Sequence, residues 1–301
     1  MTFDTIGVIA PGDMGHAVGG ALHDHGHRVV TALDGRSDAS RARAEKAGMD
    51  DLSTLDAVLG AADLVLSILP PAEAEGFAGQ VAAAMARTGA CPVFADCNAV
   101  APATVERIAA TIADAGAGFV DAGIVGPPPG IGTPRFYVSG SAATDFAQLD
   151  GKGIVVHVVG DTPGRASAVK MCYAGLNKAR HALNTAVLLA AENLGVREVL
   201  MRELAASQAA ALKQMEGNVP WLASVSGRWA GEMDEIAETF AAVDITPHFH
   251  GGAGDIFRLL ATTELAGEMR ETRDESRSLD AAVSLFAKAA RRTCGDDTRE
   301  N

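Results

Sequence analysis

Close to the start of the chain, residues 6–20 read IGVIAPGDMGHAVGG. Ile6, Val8 and Ile9 form a short apolar run of the kind required by a strand buried on both faces. Gly12 and Gly15 follow at once, and a helix-forming segment comes directly after them. A strand that turns on glycines into a helix gathers unpaired backbone N–H groups and the positive end of the helix dipole at one place. Such a place suits a phosphate, because glycine lets the backbone approach the anion and lets the helix pack tightly on the strand. The spacing departs from G-x-G-x-x-G, since Ala10 stands at the first glycine position. The expectation is a dinucleotide held by Ala10, Pro11, Gly12, Asp13, Met14 and Gly15.

Composition narrows the partners. A chain of 301 residues can form two domains with ample core. It is 48% hydrophobic but only 5% aromatic, so alanine-rich helices are expected to supply much of the packing. A net charge of −13 argues against a phosphate-backbone binder, so no nucleic-acid partner is expected. Cys91, Cys97, Cys172 and Cys294 show no C-x-x-C spacing, which reads as reduced thiols. The first apolar run breaks at Pro11–Gly12, unlike a signal peptide, and no apolar stretch nears the roughly 20 residues of a membrane span. The expectation is a cytoplasmic protein with no membrane partner.

Up to about Gly160, short apolar segments at 5–10, 28–33, 63–69, 92–96, 117–122, 134–139 and 154–159 read as strands. Amphipathic stretches at 13–25, 38–47, 72–86 and 101–115 read as helices between them. That alternation predicts a parallel sheet covered on both faces. After Asp161-Thr-Pro-Gly164 the strand signal stops, and 164–193 reads as one long helix. Further helices are expected at 196–214, 219–227, 229–243, 255–272 and 276–292, with an interruption at 245–254 and a frayed end from Cys294. The fold class is therefore an α/β Rossmann-type doubly wound domain (1–162), a long connecting helix (163–193) and an all-α C-terminal domain (194–301).

Several segments carry chemistry. The second strand ends in Asp34-Gly-Arg36-Ser37, with Arg41 beyond. A carboxylate there bonds the ribose 2′-hydroxyl of NAD, whereas an Arg accommodates the 2′-phosphate of NADP. Arg36, Ser37 and Arg41 offer a fork, a hydroxyl and a second cation, which favours NADP with NAD as the alternative. Leu69, Pro70 and Pro71 end one strand and Asn98 follows another, where open α/β sheets bind ligands; Asn98 reads as a ribose or carboxamide partner, or as a turn cap. Asp121-Ala-Gly-Ile-Val-Gly-Pro-Pro-Pro-Gly130 is a stiff loop suited to an anion, or simply a rigid turn.

Lys170 is the sharpest candidate for proton transfer. On the long helix it shares a face with Tyr173, Ala174, Asn177 and His181. Hydride transfer at an alcohol carbon requires a group that moves the hydroxyl proton, and a Lys of lowered pKa does this. The alternative is a solvated surface lysine. His248 and His250 form an H-x-H pair, but no third ligand stands at metal spacing, so no metal is expected and pocket lining or loop capping is the reading. His23, His25 and His27 read as a solvated cluster at a helix end.

Together, GVIAPGDMG, SILPPAEA, DCNAVAP, DAGIVGPP and the Lys170 helix occur in the order seen in β-hydroxyacid dehydrogenases, and the chain resembles that family over nearly its whole length. The family includes 3-hydroxyisobutyrate and 6-phosphogluconate dehydrogenases. RWAGEMDEIAETF (228–240) is more similar to a subgroup of NAD(P)-binding 6-phosphogluconate-dehydrogenase-like proteins with a distinct C-terminal domain. The resemblance implies hydride transfer between NAD(P) and a small hydroxy acid, with Lys170 as general acid/base and Tyr173 and Asn177 beside it. It assigns the substrate to Asp121, Gly123, Ile124, Val125 and Gly126, and to His181, Trp229, His248 and His250 further on. It also implies a homodimer through the helical domain. Two departures stand out: Val125 occupies the position of a carboxylate-binding Ser, and Tyr173 and Ala174 replace two asparagines that commonly follow the lysine. These departures point to a substrate bulkier or less acidic than a short 3-hydroxy acid. Imine reduction, with Tyr173 as a possible proton donor, and non-catalytic NADP sensing are the alternative readings.

Overall fold

The computed structural model describes residues 2–268 and 273–296, the last five of these by backbone alone. The chain divides into two compact units, Met1–Cys172 and Tyr173–Asn301.

The N-terminal unit alternates strand and helix. In order it runs β1 (Thr5–Ile9), α1 (Asp13–Asp24), β2 (Arg28–Thr31), α2 (Asp38–Lys46), β3 (Asp50–Asp51), α3 (Leu55–Ala61), β4 (Leu64–Ser67), α4 (Pro71–Thr88), β5 (Val93–Asp96), α5 (Pro102–Asp114), β6 (Phe119–Val125), β7 (Arg135–Ser139), α6 (Ala143–Phe146) and β8 (Val155–Val158). Among the described residues the eight strands form one sheet in the order β3-β2-β1-β4-β5-β6-β7-β8. From β3 to β6 all pairs are parallel, in the strand order of dinucleotide-binding doubly wound sheets. Side chains alternate across the sheet, so one core holds Ile6, Val8, Leu64, Leu66 and Val120, and the other holds Ile9, Val65, Phe94 and Phe119.

Three features differ from the sequence expectation. β6 and β7 are antiparallel, because residues 126–134 are too few for a crossover and return the chain as a hairpin. β6 also runs on to Val125, so Gly123, Ile124 and Val125 belong to a fully buried strand rather than to a loop. Finally, β3, α3 and the single-turn helix α6 are additional. β3 consists of two exposed aspartates, which pair with β2 and also bond Arg28 Nε (Asp50, 2.9 Å) and the Leu33 amide (Asp51, 3.1 Å), so it carries no apolar signal; α3 is a seven-residue helix started by the Thr54 hydroxyl, whose apolar pattern is confined to Leu55, Val58 and Leu59.

The long helix α7 spans Arg165–Asn193, as the unbroken sequence predicts. The C-terminal unit continues with α8 (Arg197–Ser207), α9 (Ala209–Asn218), α10 (Ala223–Ala241), α11 (His248–Ala261) and α12 (Leu279–Asp296). The expected helix at 196–214 is split at Gln208, whose φ of −139° is not helical. α10 continues through Gly227 where two helices were expected, and α11 begins at His248 rather than after the glycines. The expected helix to 272 ends at Ala261, and residues 269–272 lie outside those described, as do 297–301 of the expected frayed end. Cys91, Cys97 and Cys172 are free thiols, while the side chain of Cys294 lies outside the described residues. No described helix is long and apolar enough to cross a membrane.

Candidate functional site

At the glycine turn, α1 starts from Gly12, which supplies no capping side chain. Its first amides therefore have no intrahelical acceptor and no side-chain cap. A Cβ on Gly12 would meet open space, whereas one on Gly15 would fall 2.0 Å from the Ala10 carbonyl oxygen. Gly15 is thus required for α1 to pass over the turn, and Gly12 keeps the approach clear. Pro11 is buried, Met14 packs on the core, and Asp13 is drawn to Arg43 at 3.1 Å.

At the end of β2 the candidates separate. Arg41 folds back, donating to the Leu33 carbonyl at 2.6 Å, and the Ser37 hydroxyl caps α2 by accepting from the Ser40 amide at 3.3 Å. Both therefore shape the turn. Arg36 forms no ion pair among the described residues, and the Asp34 side chain is exposed.

Toward the carboxyl ends of the strands, one rung of the sheet is polar. Ser67, Asp96, Asp121 and Ser139 are successive register partners on β4, β5, β6 and β7. Asn98 sits over this rung, buried. Its Nδ2 donates to Asp96 Oδ2 (2.9 Å) and Ser67 Oγ (3.0 Å), its backbone N–H donates to Asp96 Oδ1 (3.0 Å), and its Oδ1 accepts the Leu69 amide (2.5 Å). The sequence left Asn98 as a ribose or carboxamide partner or as a turn cap. In the fold both ends of its amide bond protein groups, so it ties the end of β5 to Leu69, with Pro70 and Pro71 leading into α4. Burial pushes the Asp96 carboxyl up to about 7, against the two Asn98 hydrogen bonds, and the neighbouring Asp121 adds to the rise.

Asp121 calls for a similar correction. It is fully buried, and its carboxylate accepts from Gly164 N (2.8 Å), Ser167 N (3.1 Å), Ser167 Oγ (2.7 Å) and Ser139 Oγ (3.0 Å). Asp121 therefore caps α7 and has no face left for a substrate. Burial raises its pKa, with these hydrogen bonds opposing the rise. Gly123 is a packing residue: a Cβ there would lie 2.8 Å from the Ala166 carbonyl oxygen and 2.9 Å from Lys170 Cβ. Lys170, one turn beyond the cap, donates from Nζ to the Ile124 carbonyl oxygen. Val125 is buried, and Gly126, with φ of 110°, turns the chain out of the strand. The capped helix, the glycine and the strand end together hold the lysine at the same sheet edge as the glycine turn.

In the C-terminal unit Tyr173 is 50% exposed, and Asn177 Oδ1 accepts from Arg180 at 3.3 Å. His181 is buried, stacked on Trp229 (5.8 Å between centroids) and edge-on to Trp221 (6.3 Å). Its Nδ1 has no partner among the described residues, and burial with the nearby Arg180 lowers its pKa. The sequence reading missed the ion pair beneath these rings. Lys178 Nζ bonds Glu232, with side chains 8% and 4% exposed, and lies 5.4 Å from the Trp229 ring centroid. Arg228 reaches the other Glu232 oxygen at 2.6 Å. Only the i,i+4 spacing of Arg228 and Glu232 was legible in advance. The H-x-H pair does not act together: His248 is exposed, whereas His250 is buried 4.2 Å from Phe240. Adjacent-but-one helical residues face nearly opposite ways.

Comparison with known proteins agrees with this geometry. Residues 5–150 match the NAD binding domain of 6-phosphogluconate dehydrogenase. The N-terminal domain is of the 6-phosphogluconate dehydrogenase NAD-binding kind. Residues 191–260 match a domain of unknown function, DUF1932. Among solved structures, a conserved protein of unknown function described as similar to 3-hydroxyacid dehydrogenases is 28% identical, with a TM-score of 0.62, over 85% of this chain and 96% of that one. A conserved hypothetical protein from Sinorhizobium meliloti is 25% identical, with a TM-score of 0.67, over 96% and 97%. The 3-hydroxyisobutyrate dehydrogenase of Mycobacterium tuberculosis shares the fold at 18% identity, with a TM-score of 0.66, over 94% and 99%. No curated protein sequence matches the chain.

The residues of this NAD-binding domain fit a dinucleotide. The open space over Gly12 and the uncapped amides of α1 suit the pyrophosphate, and the end of β2 with Arg36 suits the adenosine ribose. The Leu69–Pro71 segment lies alongside the glycine turn, because the β1–β4 ladder continues through Ile68 N to Ile9 O at 2.5 Å.

Proposed function

We propose that this protein is an NADP-preferring oxidoreductase acting on the CH–OH or C=O group of a small hydroxy acid or related alcohol, with Lys170 as general acid/base. NAD is the alternative cofactor. The observation that carries the reading is the placement of Lys170. A cationic side chain is fixed by a capped helix and a strand carbonyl, at the sheet edge where the glycine turn also lies. Bound NAD(P) would donate or accept the hydride. Lys170 Nζ, in reduction, gives a proton to the nascent alkoxide oxygen; in oxidation the neutral amine takes that proton from the hydroxyl. Ile124 O keeps the amine oriented between these states. Val125 offers no hydroxyl where related loops place a Ser, which supports a substrate bulkier or less acidic than a short 3-hydroxy acid.

NADP is favoured because Arg36 lacks an ion-pair partner among the described residues while Arg41 and Ser37 are engaged. A homodimer through the helical domain is supported by the apolar residues Leu176 and Leu183 on α7 and Leu194 just beyond it, each more than half exposed. The test is turnover of hydroxy acids, alcohols, aldehydes and ketones with each cofactor. Lys170→Met should lower kcat by about 100-fold or more while cofactor affinity stays within about twofold. Unchanged turnover would remove Lys170 from the chemistry.

A further inference from the structure

The Asn98 amide has two possible orientations, and only one is useful. With Oδ1 toward Leu69 it accepts that residue's N–H; turned over, it would set an NH₂ group against an N–H. What selects the orientation lies on the other side of the amide. Asp96 Oδ2 and Ser67 Oγ both take hydrogens from Nδ2, and Asp96 Oδ1 also holds the Asn98 backbone N–H. Asp96 is therefore a two-point clamp on one residue, and that residue is itself a clamp on Leu69.

Leu69 is placed where a clamp matters. The chain leaves β4 at Ser67 and enters α4 at Pro71 with no side-chain cap, so the segment between is held by few bonds. On one side Ile68 bonds the end of β1, whose next residues form the glycine turn; on the other, Asn98 holds Leu69. We propose that Asp96 is a positioning residue for the cofactor: by fixing the Asn98 amide it holds the Leu69–Pro71 segment against the glycine turn, so that its loss weakens dinucleotide binding without any contact between Asp96 and the dinucleotide. Asp96 is 1% exposed and lies one strand away from that segment, so its influence passes through Asn98.

The inference rests on the NAD(P)-binding reading, and direct binding separates the two. Affinity for NADP⁺ and for NADPH is measured by calorimetry and by nucleotide fluorescence on the full chain, which requires no knowledge of the substrate. If the unaltered protein binds neither NADP nor NAD, the cofactor reading falls. If it binds, Asp96→Asn and Asn98→Ala should each weaken NADP⁺ about tenfold, and the double variant should be no weaker than Asn98→Ala alone. Multiplying effects in the double variant would mean that Asp96 acts independently of Asn98 and would overturn the proposal, as would unchanged affinity in Asp96→Asn. Asp63→Asn serves as the comparison. Asp63 holds the Asp4 and Thr5 amides at 2.9 Å each at the opposite end of the sheet, so this variant should lower melting temperature and leave affinity unchanged. Equal loss of affinity there would mark the Asp96 effect as general loosening. Should Asp96→Asn fail to fold by circular dichroism, Ser67→Ala, which removes the other acceptor of the same amide, takes its place in the cycle under the same criteria.

Discussion

Replacing Asp96 by Asn should remove a large pH dependence from the stability of the N-terminal unit. The carboxyl is buried with Asn98 above it and Asp121 beside it, and burial lifts its pKa from an ordinary 3.8 to about 7. In the unfolded chain it ionises near 3.8, whereas in the fold it keeps its proton until about 7. Its contribution to stability is therefore full below the unfolded value and is lost as pH rises through the folded one. The gap between 3.8 and about 7, at about 1.4 kcal/mol per pH unit, corresponds to about 4 kcal/mol. The groups facing Asp96 are Asp121 on β6, Ser67 on β4 and the Cys97 thiol, and burial raises the pKa of both Asp121 and Cys97. The test is urea unfolding of both proteins at a series of pH values from about 4 to about 8. Far-UV circular dichroism follows the whole chain, while Trp221 and Trp229 both lie in the C-terminal unit, so fluorescence identifies that unit's transition. The lowered pKa values of His181 and His250 act in the opposite direction, losing stability as pH falls below 6.5, but they are common to both proteins and cancel in the difference. Wild-type stability relative to Asp96→Asn should fall by up to about 4 kcal/mol across that range, most of it before pH reaches about 7. Parallel curves would refute the raised pKa and the physical argument behind it.

Glu232→Gln removes the carboxylate that pairs with the buried Lys178 ammonium and leaves the repulsion from Arg228, and the C-terminal unit should lose roughly 3–5 kcal/mol in urea unfolding followed by tryptophan fluorescence. A loss within the range of a surface pair, under about 1 kcal/mol, would contradict the burial of that pair. Arg36→Ala should weaken NADP by about tenfold or more and NAD by much less, and equal losses in a binding titration would remove Arg36 from the 2′-phosphate. Leu183→Glu places a charge on the exposed apolar stripe of α7 and should turn a dimer into a monomer in sedimentation velocity; an unaffected dimer would put the interface elsewhere.

The first unit was largely legible because its signals are local. Buried parallel strands are continuous apolar runs, glycines mark the turn that meets a phosphate, and one unbroken stretch predicted α7. The glycine turn and the position of Lys170 on that long helix were both readable this way. What failed was whatever depends on a partner distant in sequence. β3 is held by its ladder to β2 and by bonds of its two aspartates to Arg28 and the Leu33 amide, so it carries no apolar pattern. Asp121 looked like a ligand-binding residue because it opens a loop-like glycine-rich segment, yet Gly164 and Ser167, more than 40 residues away, take up its carboxylate. Asn98 follows β5 as the sequence reads, but its bonds to Ser67 and Leu69 come from the end of the neighbouring strand and the segment after it.

The sequence by itself determined the alternation of buried strands and helices in the first unit, the dinucleotide-binding turn and the presence of a lysine on a long helix, since each depends on spacing within one short segment. Tertiary structure decided which polar residues are free. Asp121, Asn98, Arg41 and Ser37 are all held by the protein, whereas Arg36 forms no ion pair among the described residues. The physical reason is that buried polar groups must find partners, and those partners are set by strand register and helix packing rather than by neighbours along the chain.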